Sequence, residues 1–234
     1  MMRIDILTLF PNMFSGFLEE SIMKRAIDAK LVDIHIIDFR EFSTSKHKKV
    51  DDYPYGGGAG MVLQVQPVYD ALRSIKGYRE ALKIIVSPQG VPFTQPIAYE
   101  YSSHDHIIIL CGHYEGYDER IRSYFDVELS IGDYVLTGGE LAAMVLVDAI
   151  TRVVPDVINN DESHIHDSFN NHLLEHPHYT RPREFDGQEV PEVLVNGHHQ
   201  KIEEWRLQQS LAKTKKRRPD LYKKYLEDKN DETT

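Results

Sequence analysis

Residues 130–152 (SIGDYVLTGGELAAMVLVDAITR) bring glycines, a carboxylate and an arginine together in a spacing that suits chemistry. The two glycines leave backbone N–H groups approachable where a helix begins, which favours a polar ligand there. Thr137 and Glu140 have the spacing of a capping box, which predicts a helix that starts at the hydroxyl of Thr137. The following run is apolar except for Asp148 and ends near Arg152. We expect this helix to lie in a core or a subunit interface, with a site beside it.

Two further loops rich in glycine or proline follow apolar runs. Residues 87–90 (SPQG) follow the run ALKIIV, and residues 112–116 (GHYEG) follow HIIILC. Apolar strands that alternate with helices indicate a mostly parallel sheet covered on both faces. Ligands of such sheets bind beyond the carboxyl ends of the strands. We therefore expect these two loops and residues 131–139 to converge on one pocket.

The common nucleotide-binding motifs are absent from the sequence. Pro11 and Asn12 follow the first apolar run, where a dinucleotide-binding fold has G-x-G-x-x-G. Residues 56–60 (GGGAG) precede Met61 and Val62, where a phosphate-binding P-loop needs Lys and Ser or Thr. No serine nucleophile elbow is present.

Five of the twelve histidines fall within residues 164–178, and they include a His-x-x-x-His pair. That spacing occurs among helical zinc ligands, but the segment is polar and has no H-E-x-x-H motif. We favour solvated linker histidines and expect no dedicated metal site. The single cysteine, Cys111, excludes a disulfide framework and a cysteine zinc site.

The formal net charge is −10, which by itself argues against a nucleic-acid partner. Residues 206–224, however, contain eight Lys or Arg and a single Asp. A basic end on an acidic chain is typical of polyanion binding, although a solvated basic helix is equally compatible. No apolar run has the length of a membrane span and no signal peptide is recognisable, so we expect a cytoplasmic protein without membrane contact.

Residues 1–157 are expected to form an α/β domain, residues 158–183 a flexible linker, and residues 184–234 a small helical domain. Strands are predicted at residues 4–10, 31–39, 81–86, 106–111 and 127–129. Helices are predicted at residues 14–30, 67–75, 95–102, 117–124 and 141–150. Beyond the linker we expect an extended piece at 190–196, a helix at 198–214 and a last short helix.

The chain resembles the bacterial tRNA (guanine-N1)-methyltransferases of the trefoil-knotted methyltransferase superfamily. The resemblance rests on PYGGGAGM (54–61), CGHYEGYDER (111–120), SIGDYVLTGGE (130–140), DSF (167–169) and HPHYTRP (176–182). WRLQQSLAKT and RRPDL complete it near the end, so it covers almost the whole chain. His113 is a departure, because many relatives are expected to have arginine there.

This resemblance implies transfer of a methyl group from S-adenosylmethionine to N1 of the guanine immediately 3′ of the anticodon in tRNA. It implies a homodimer with the active site at the subunit interface. It also implies that the parallel sheet contains a deep trefoil knot, a rare exception to the rule that chains do not thread loops. Mg²⁺ is an implied cofactor.

The resemblance assigns the catalytic roles to Asp167 and Arg152. Asp167 would accept the N1 proton, and Arg152 would hold the guanine carbonyl and stabilise the charge that develops. Without the resemblance, an exposed linker aspartate and an arginine at a helix C-terminus would be the preferred interpretations.

The resemblance also assigns the binding residues. The expected cofactor contacts are Pro88, Gly90, Gly112, Tyr114, Glu115, Ile131, Gly132, Tyr134, Leu136 and Gly139. Glu115 suits the methionine ammonium group or a magnesium ion, whereas a plain core role is the alternative for Tyr134 and Leu136. The expected RNA contacts are Gly57, Gly58, Arg206 and Ser210, with the basic residues 46–49 nearby.

Two other functional classes are compatible with parts of the sequence. A non-catalytic RNA-binding protein would need the basic end but neither the glycine loops nor Asp167. A histidine-dependent metal hydrolase would need a tightly bound transition metal.

Overall fold

The structure is a computed structural model, which describes residues 1–158, 167–169 and 171–231. The chain divides into two compact units, Met1–Asn159 and Asn160–Thr234. The division lies beside the boundary expected after residue 157. The catalytic and RNA-binding roles assigned to the two parts stay predictions.

A five-stranded parallel sheet forms the centre of the first unit. Its strands and a short ribbon are β1 (Met2–Thr8), β2 (Val32–Asp38), β3 (Asp51–Asp52), β4 (Val62–Leu63), β5 (Leu82–Pro92), β6 (His106–Cys111) and β7 (Val127–Ser130). The order in the sheet is β2-β1-β6-β5-β7, and every neighbouring pair is parallel. The prediction of an α/β fold with a mostly parallel sheet is confirmed.

Helices cover both faces of this sheet. They are α1 (Ser15–Leu18), α2 (Ser21–Asp28), α3 (Val65–Ser74), α4 (Gln95–Ser102) and α5 (Glu140–Arg152). Alternate residues of β6 enter different cores: Ile107 and Ile109 pack with α2, α4 and α5, whereas Ile108 and Leu110 pack with α3. Because both faces are buried, the strand reads as a continuous apolar run.

Three local predictions for the first unit were wrong. Residues 14–30 form two helices rather than one, because the chain turns at Ser21, which has φ of +55°. β5 does not end at Val86: residues 87–90 bulge out of the ladder, and Val86 and Val91 both pair with Leu129. α5 is preceded by Gly139 with no side-chain cap, so the expected capping box does not form.

The second unit is built on two helices. They are α6 (His199–Arg217) and α7 (Pro219–Asp231), preceded by the hairpin β8 (Glu184–Phe185) and β9 (Gln188–Glu189). A 3₁₀ turn at Glu192–Leu194 replaces the extended piece predicted there. The described end of the predicted linker is tied to α6, because the N–H of Leu174 donates to Thr214 Oγ1 over 2.8 Å and Lys213 Nζ donates to the Glu175 carbonyl over 2.5 Å.

No helix among residues 1–158 and 171–231 is both long and apolar enough to cross a membrane.

Candidate active site

Gly139 contacts the start of the loop of residues 112–116 and lies beside Val86, the residue before the bulge of residues 87–90. Its N–H donates to the carbonyl of Gly112 over 2.8 Å. A Cβ atom at Gly139 would lie 2.7 Å from Val86 Cγ2 and 2.8 Å from Cys111 Cα. The bulge of β5 begins after Val86, and the loop that follows β6 begins after Cys111. The start of α5 therefore packs directly on the ends of two strands, and only glycine leaves room for this approach.

The bulge of β5 lies against the neighbouring strand. Pro88 is exposed, whereas Gly90 is half-buried. A Cβ atom at Gly90 would lie 2.5 Å from the backbone of Leu129 in β7. The bulge thus needs a glycine where it passes β7, and it presents its proline to the surface.

The loop after β6 contains a strained backbone conformation. Tyr114 has φ of +63°, which is uncommon for a bulky residue, and its side chain is exposed. The N–H of the adjacent Glu115 donates to the Met61 carbonyl over 3.0 Å, and the Glu115 side chain occupies the space beside Gly60. Strain of this kind is concentrated at ligand-binding sites. The structure therefore brings the loop of residues 56–60 next to a predicted cofactor residue.

Residues 131–136 form a tight turn whose side chains point outward. Ser130 Oγ accepts from the N–H of Gly132 over 3.2 Å, and the ring of Tyr134 covers the position where Gly132 would carry a Cβ. Ile131 is half-buried, whereas Tyr134 and Leu136 are exposed. Their exposure excludes the core role that was the alternative interpretation of Tyr134 and Leu136.

A buried network that the sequence did not predict joins the same loops. Glu140 is only 1% exposed, and it accepts from Thr8 Oγ1 at 2.7 Å. Its other oxygen lies 2.8 Å from Nε2 of His113. The sequence signal for this network was a glutamate that directly follows two glycines. Its spacing from Thr137 had instead predicted a helix cap.

The two residues with predicted catalytic roles belong to different units. Arg152 is the last residue of α5 in the first unit and is half-buried. Asp167 is half-buried in the second unit. Their proximity during catalysis stays a prediction.

Asp167 lines a cavity of about 430 Å³ within the second unit. Both predicted RNA-binding residues of α6, Arg206 and Ser210, line this cavity too. The lining also includes Leu173, Leu174, His176 and Leu207. The structure thus gathers three separately predicted residues around one space. Thr214, which lies on the same face of α6, is fully buried and accepts from the N–H of Leu174 instead.

The cavity carries charges of both signs. Arg206 Nη1 donates to Glu203 Oε1 over 2.6 Å, and its buried Nε has no hydrogen-bond partner among the described residues. Burial lowers the pKa of His176, and the positive charges of His178 and Arg206 lower it further. A neutral His176 can both donate and accept hydrogen bonds. The cavity therefore offers acceptors and donors suited to a polar planar group.

The structure also limits the metal-binding possibilities. No group of three or more His, Cys, Asp or Glu side chains within the described ranges is arranged to hold a metal ion. His164 and His166 lie outside the described residues. His172 lies 3.2 Å from Asp228, and His178 lies 2.7 Å from Glu175, so these two histidines pair with carboxylates.

The glycine loop predicted to meet RNA is fully accessible. Gly57 and Gly58 have φ of +77° and +133°, a region that glycine adopts without strain. Tyr55 beside them is completely exposed, and the lysines at 46, 48 and 49 also lie on the surface. The loop can therefore approach a nucleotide backbone closely.

Comparison with known proteins decides the family. The family described as tRNA (Guanine-1)-methyltransferase TrmD matches residues 2–224. The chain belongs to this family. The tRNA (guanine-N(1)-)-methyltransferase of Shouchella clausii is 56% identical over 226 residues, which cover 96% of this chain and 93% of the relative. The enzyme of the same name from Geobacillus kaustophilus is 57% identical over 226 residues, with coverage of 96% and 93%.

A third relative, from Staphylococcus carnosus, carries the same name and is 54% identical over 225 residues, or 96% of this chain and 92% of the relative. The predicted identity as a tRNA (guanine-N1)-methyltransferase is confirmed. This family is enzymatic, so the alternatives of a non-catalytic RNA-binding protein and a metal hydrolase are set aside.

Proposed function

We propose that this tRNA (guanine-N1)-methyltransferase transfers the methyl group of S-adenosylmethionine to the guanine immediately 3′ of the anticodon. The observation that carries the proposal is the packing of Gly139 against Gly112 and Val86, beside the bulge of β5 and the loop after β6, in a chain that belongs to this family. In a parallel sheet, this edge is where ligands bind.

The residues of the first unit fit such a cofactor. S-adenosylmethionine supplies an electrophilic methyl group on a sulfonium when it is bound. The glycines at 90, 112, 132 and 139 are half-buried, and the backbone of the loops that contain them would meet an adenine edge. Tyr114, Tyr134 and Leu136 are exposed and can cover apolar surface of a bound molecule. The knot implied by the resemblance stays a prediction.

Asp167 is the proposed general base. Methylation replaces the proton on guanine N1, so a base must accept that proton as N1 bonds to the methyl carbon and the sulfur leaves with its electron pair. Asp167 lines a cavity with polar groups, which is a suitable place for a base that receives a proton from a nucleobase. We assign Arg152 to the guanine carbonyl, where its positive charge would stabilise the negative charge that develops on the base as the N1 proton leaves.

A homodimer is also proposed, with the active site at the subunit interface. Four apolar residues of α5 and the loop before it are exposed: Val135, Leu136, Leu141 and Val145. Contiguous exposed apolar surface is typical of protein interfaces. A second copy of this chain would bury that surface beside the proposed cofactor loops.

Mg²⁺ is proposed as a cofactor held through Glu115. This carboxylate is exposed and lies beside Gly60 in the glycine loop. Mg²⁺ keeps several waters and takes one or two carboxylates together with substrate oxygens, so a single protein ligand suffices.

The deciding experiment is a methyl-transfer assay on Asp167→Asn. With radiolabelled S-adenosylmethionine and a tRNA transcript that has guanine 3′ of the anticodon, we expect the variant to lose about 10²- to 10⁴-fold in rate, because general-base catalysis contributes that much. Calorimetry should show unchanged cofactor binding.

Two controls make this result specific. Asp186→Asn changes an exposed carboxylate of the same unit, at φ of +51° where Asn is tolerated, and should keep full activity. A transcript with adenine in place of the target guanine should accept no methyl group. Full activity of Asp167→Asn would remove Asp167 from the mechanism.

A further inference from the structure

Glu140 is a buried carboxylate to which the proposed mechanism gives no role. It is the first residue of α5, and only 1% of its surface is exposed. Burying a carboxylate costs several kcal/mol unless hydrogen bonds and charges compensate for lost water. Such a group is retained where its hydrogen bonds fix something specific, and its partners show what is fixed.

The partners of Glu140 come from the ends of two neighbouring strands. Thr8, the last residue of β1, is fully buried and donates its hydroxyl to Glu140 Oε1 over 2.7 Å. The same hydroxyl oxygen accepts from the N–H of Phe10 over 3.0 Å. The carboxylate thus ties the turn after β1 to the start of α5.

The second partner, His113, lies within the predicted cofactor loop. A carboxylate can only accept, so the Nε2–H of His113 donates to Glu140 Oε2 over 2.8 Å. The ring packs on Phe10 with centroids 4.7 Å apart. At Gly138 a Cβ atom would collide with this ring, so the histidine also fills the space over the glycine pair. His113 is therefore held on one side by packing and on the other by a hydrogen bond.

His113 immediately follows Gly112 and precedes Tyr114, two residues of the proposed cofactor contacts. Gly112 is itself bonded to Gly139. Tyr114 has a left-handed backbone, which is strained for a bulky residue and persists only when its surroundings enforce it. The hydrogen bond between His113 and Glu140 therefore fixes the residue that directly precedes this strained tyrosine in the chain.

We propose that Glu140 and His113 form a positioning pair that holds the loop of residues 112–116 in its cofactor-binding shape. The pair acts through Gly112 and Tyr114 and does not touch the reacting atoms. The inference rests on the proposed function, because it takes S-adenosylmethionine as the ligand of this loop.

The test compares cofactor affinity in variants of His113. His113→Phe keeps the ring that packs on Phe10 but removes the donor, and it leaves the buried carboxylate short of a partner. We expect S-adenosylmethionine to bind at least about tenfold more weakly in calorimetry, since a hydrogen bond to a charged group contributes roughly 1.5–3 kcal/mol. The KM for tRNA should change less than the cofactor affinity, because the basic residues 206–224 belong to the other unit.

A conservative variant separates positioning from general destabilisation. His113→Gln places an amide donor near the position of Nε2, so we expect it to recover most of the affinity. His113→Asn carries the same amide but is too short to reach Glu140, and it replaces His113→Phe if that variant does not fold. Recovery by Gln and not by Asn is the expected pattern.

The sheet itself contains a second buried pair of a histidine and a carboxylate that serves as a control, and its carboxylate, Asp5, also accepts from Arg3. His106 Nε2 lies 2.6 Å from Asp5 Oδ2, with side-chain exposures of 14% and 0%, against 17% and 1% for His113 and Glu140. His106 begins β6, at the end of the strand opposite the loop. His106→Phe should lower the melting temperature but leave cofactor affinity unchanged.

The outcomes are distinct. Weak binding by His113→Phe with normal binding by His106→Phe supports the positioning pair. Equal affinity in His113→Phe and the unaltered protein, or equal losses in both Phe variants, overturns it. An unaltered protein that does not bind S-adenosylmethionine at all overturns the proposed function, and the inference with it.

Discussion

At the scale of single residues, the close approach of Gly139 to Val86 and Cys111 constrains the site. Its missing Cβ lets α5 begin within hydrogen-bond distance of Gly112. The atoms around that position are largely backbone, at Cys111 and Gly112, and cannot rotate away. Any side chain would force the proposed cofactor loops apart.

We therefore expect Gly139→Ala to weaken both the fold and the cofactor site. Overpacking of this kind costs about 1–3 kcal/mol, so the free energy of unfolding in urea should fall by that amount. Calorimetry should show reduced binding of S-adenosylmethionine. Gly16→Ala is the control, because nothing lies within 4 Å of a Cβ there. If Gly139→Ala were as stable as Gly16→Ala, the packing of α5 on the strand ends would not matter.

At the scale of elements, α5 has two apolar faces with different surroundings. The face that packs against the sheet is fully buried and consists of Ala143, Leu146, Val147 and Ile150. Leu141 and Val145, one turn apart, are 52% and 47% exposed. One face of α5 therefore belongs to the core, and the other is available to a partner. A helix that is apolar on almost every face is expected to be buried on both sides.

If the proposed dimer forms through this face, we expect Leu141→Lys combined with Val145→Lys to convert it to a monomer. Two charges would lose their water on association, while an unassociated monomer keeps both in solvent. Sedimentation velocity should show the change, with little loss of helix by circular dichroism. Tyr124→Lys, an exposed position in the 3₁₀ segment Glu119–Tyr124, is the control. An unchanged sedimentation coefficient in the double variant would place any dimer contact elsewhere.

At the scale of the whole molecule, charge is distributed unevenly along an acidic chain. The basic residues 206–224 cover the second half of α6 and the start of α7. Lys216 and Lys224 are exposed there. Phosphate contacts release counterions and add affinity without reading sequence, so these lysines would orient tRNA.

We expect Lys216→Ala combined with Lys224→Ala to flatten the salt dependence of tRNA binding. Each lost phosphate contact reduces the slope of log K against log salt by about 0.7–0.9, so two contacts give roughly 1.5. Fluorescence anisotropy across a salt series measures the slope. Lys24→Ala with Lys76→Ala, two exposed lysines of the first unit, should leave it unchanged. Identical slopes in both double variants would argue against the basic segment as the tRNA contact.

Local patterns were sufficient to predict most strands and helices of the first unit. The run HIIILC is a strand with the expected bounds, and α4 begins and ends where its pattern predicted. A continuous apolar run predicts a strand that is buried on both faces, and such strands are typical of parallel sheets. The family motifs, which lie in loops, were also readable without a structure.

Only the tertiary structure decided what Glu140 does. Its spacing from Thr137 fitted a cap, yet the carboxylate turns inward to Thr8 and His113, which are 132 and 27 residues away in sequence. The same holds for the cavity that joins Asp167 to Arg206 and Ser210, and for the bulge that carries β5 past Val86. Sequence spacing determines contacts within a helix or strand, whereas contacts between distant segments depend on how the elements pack.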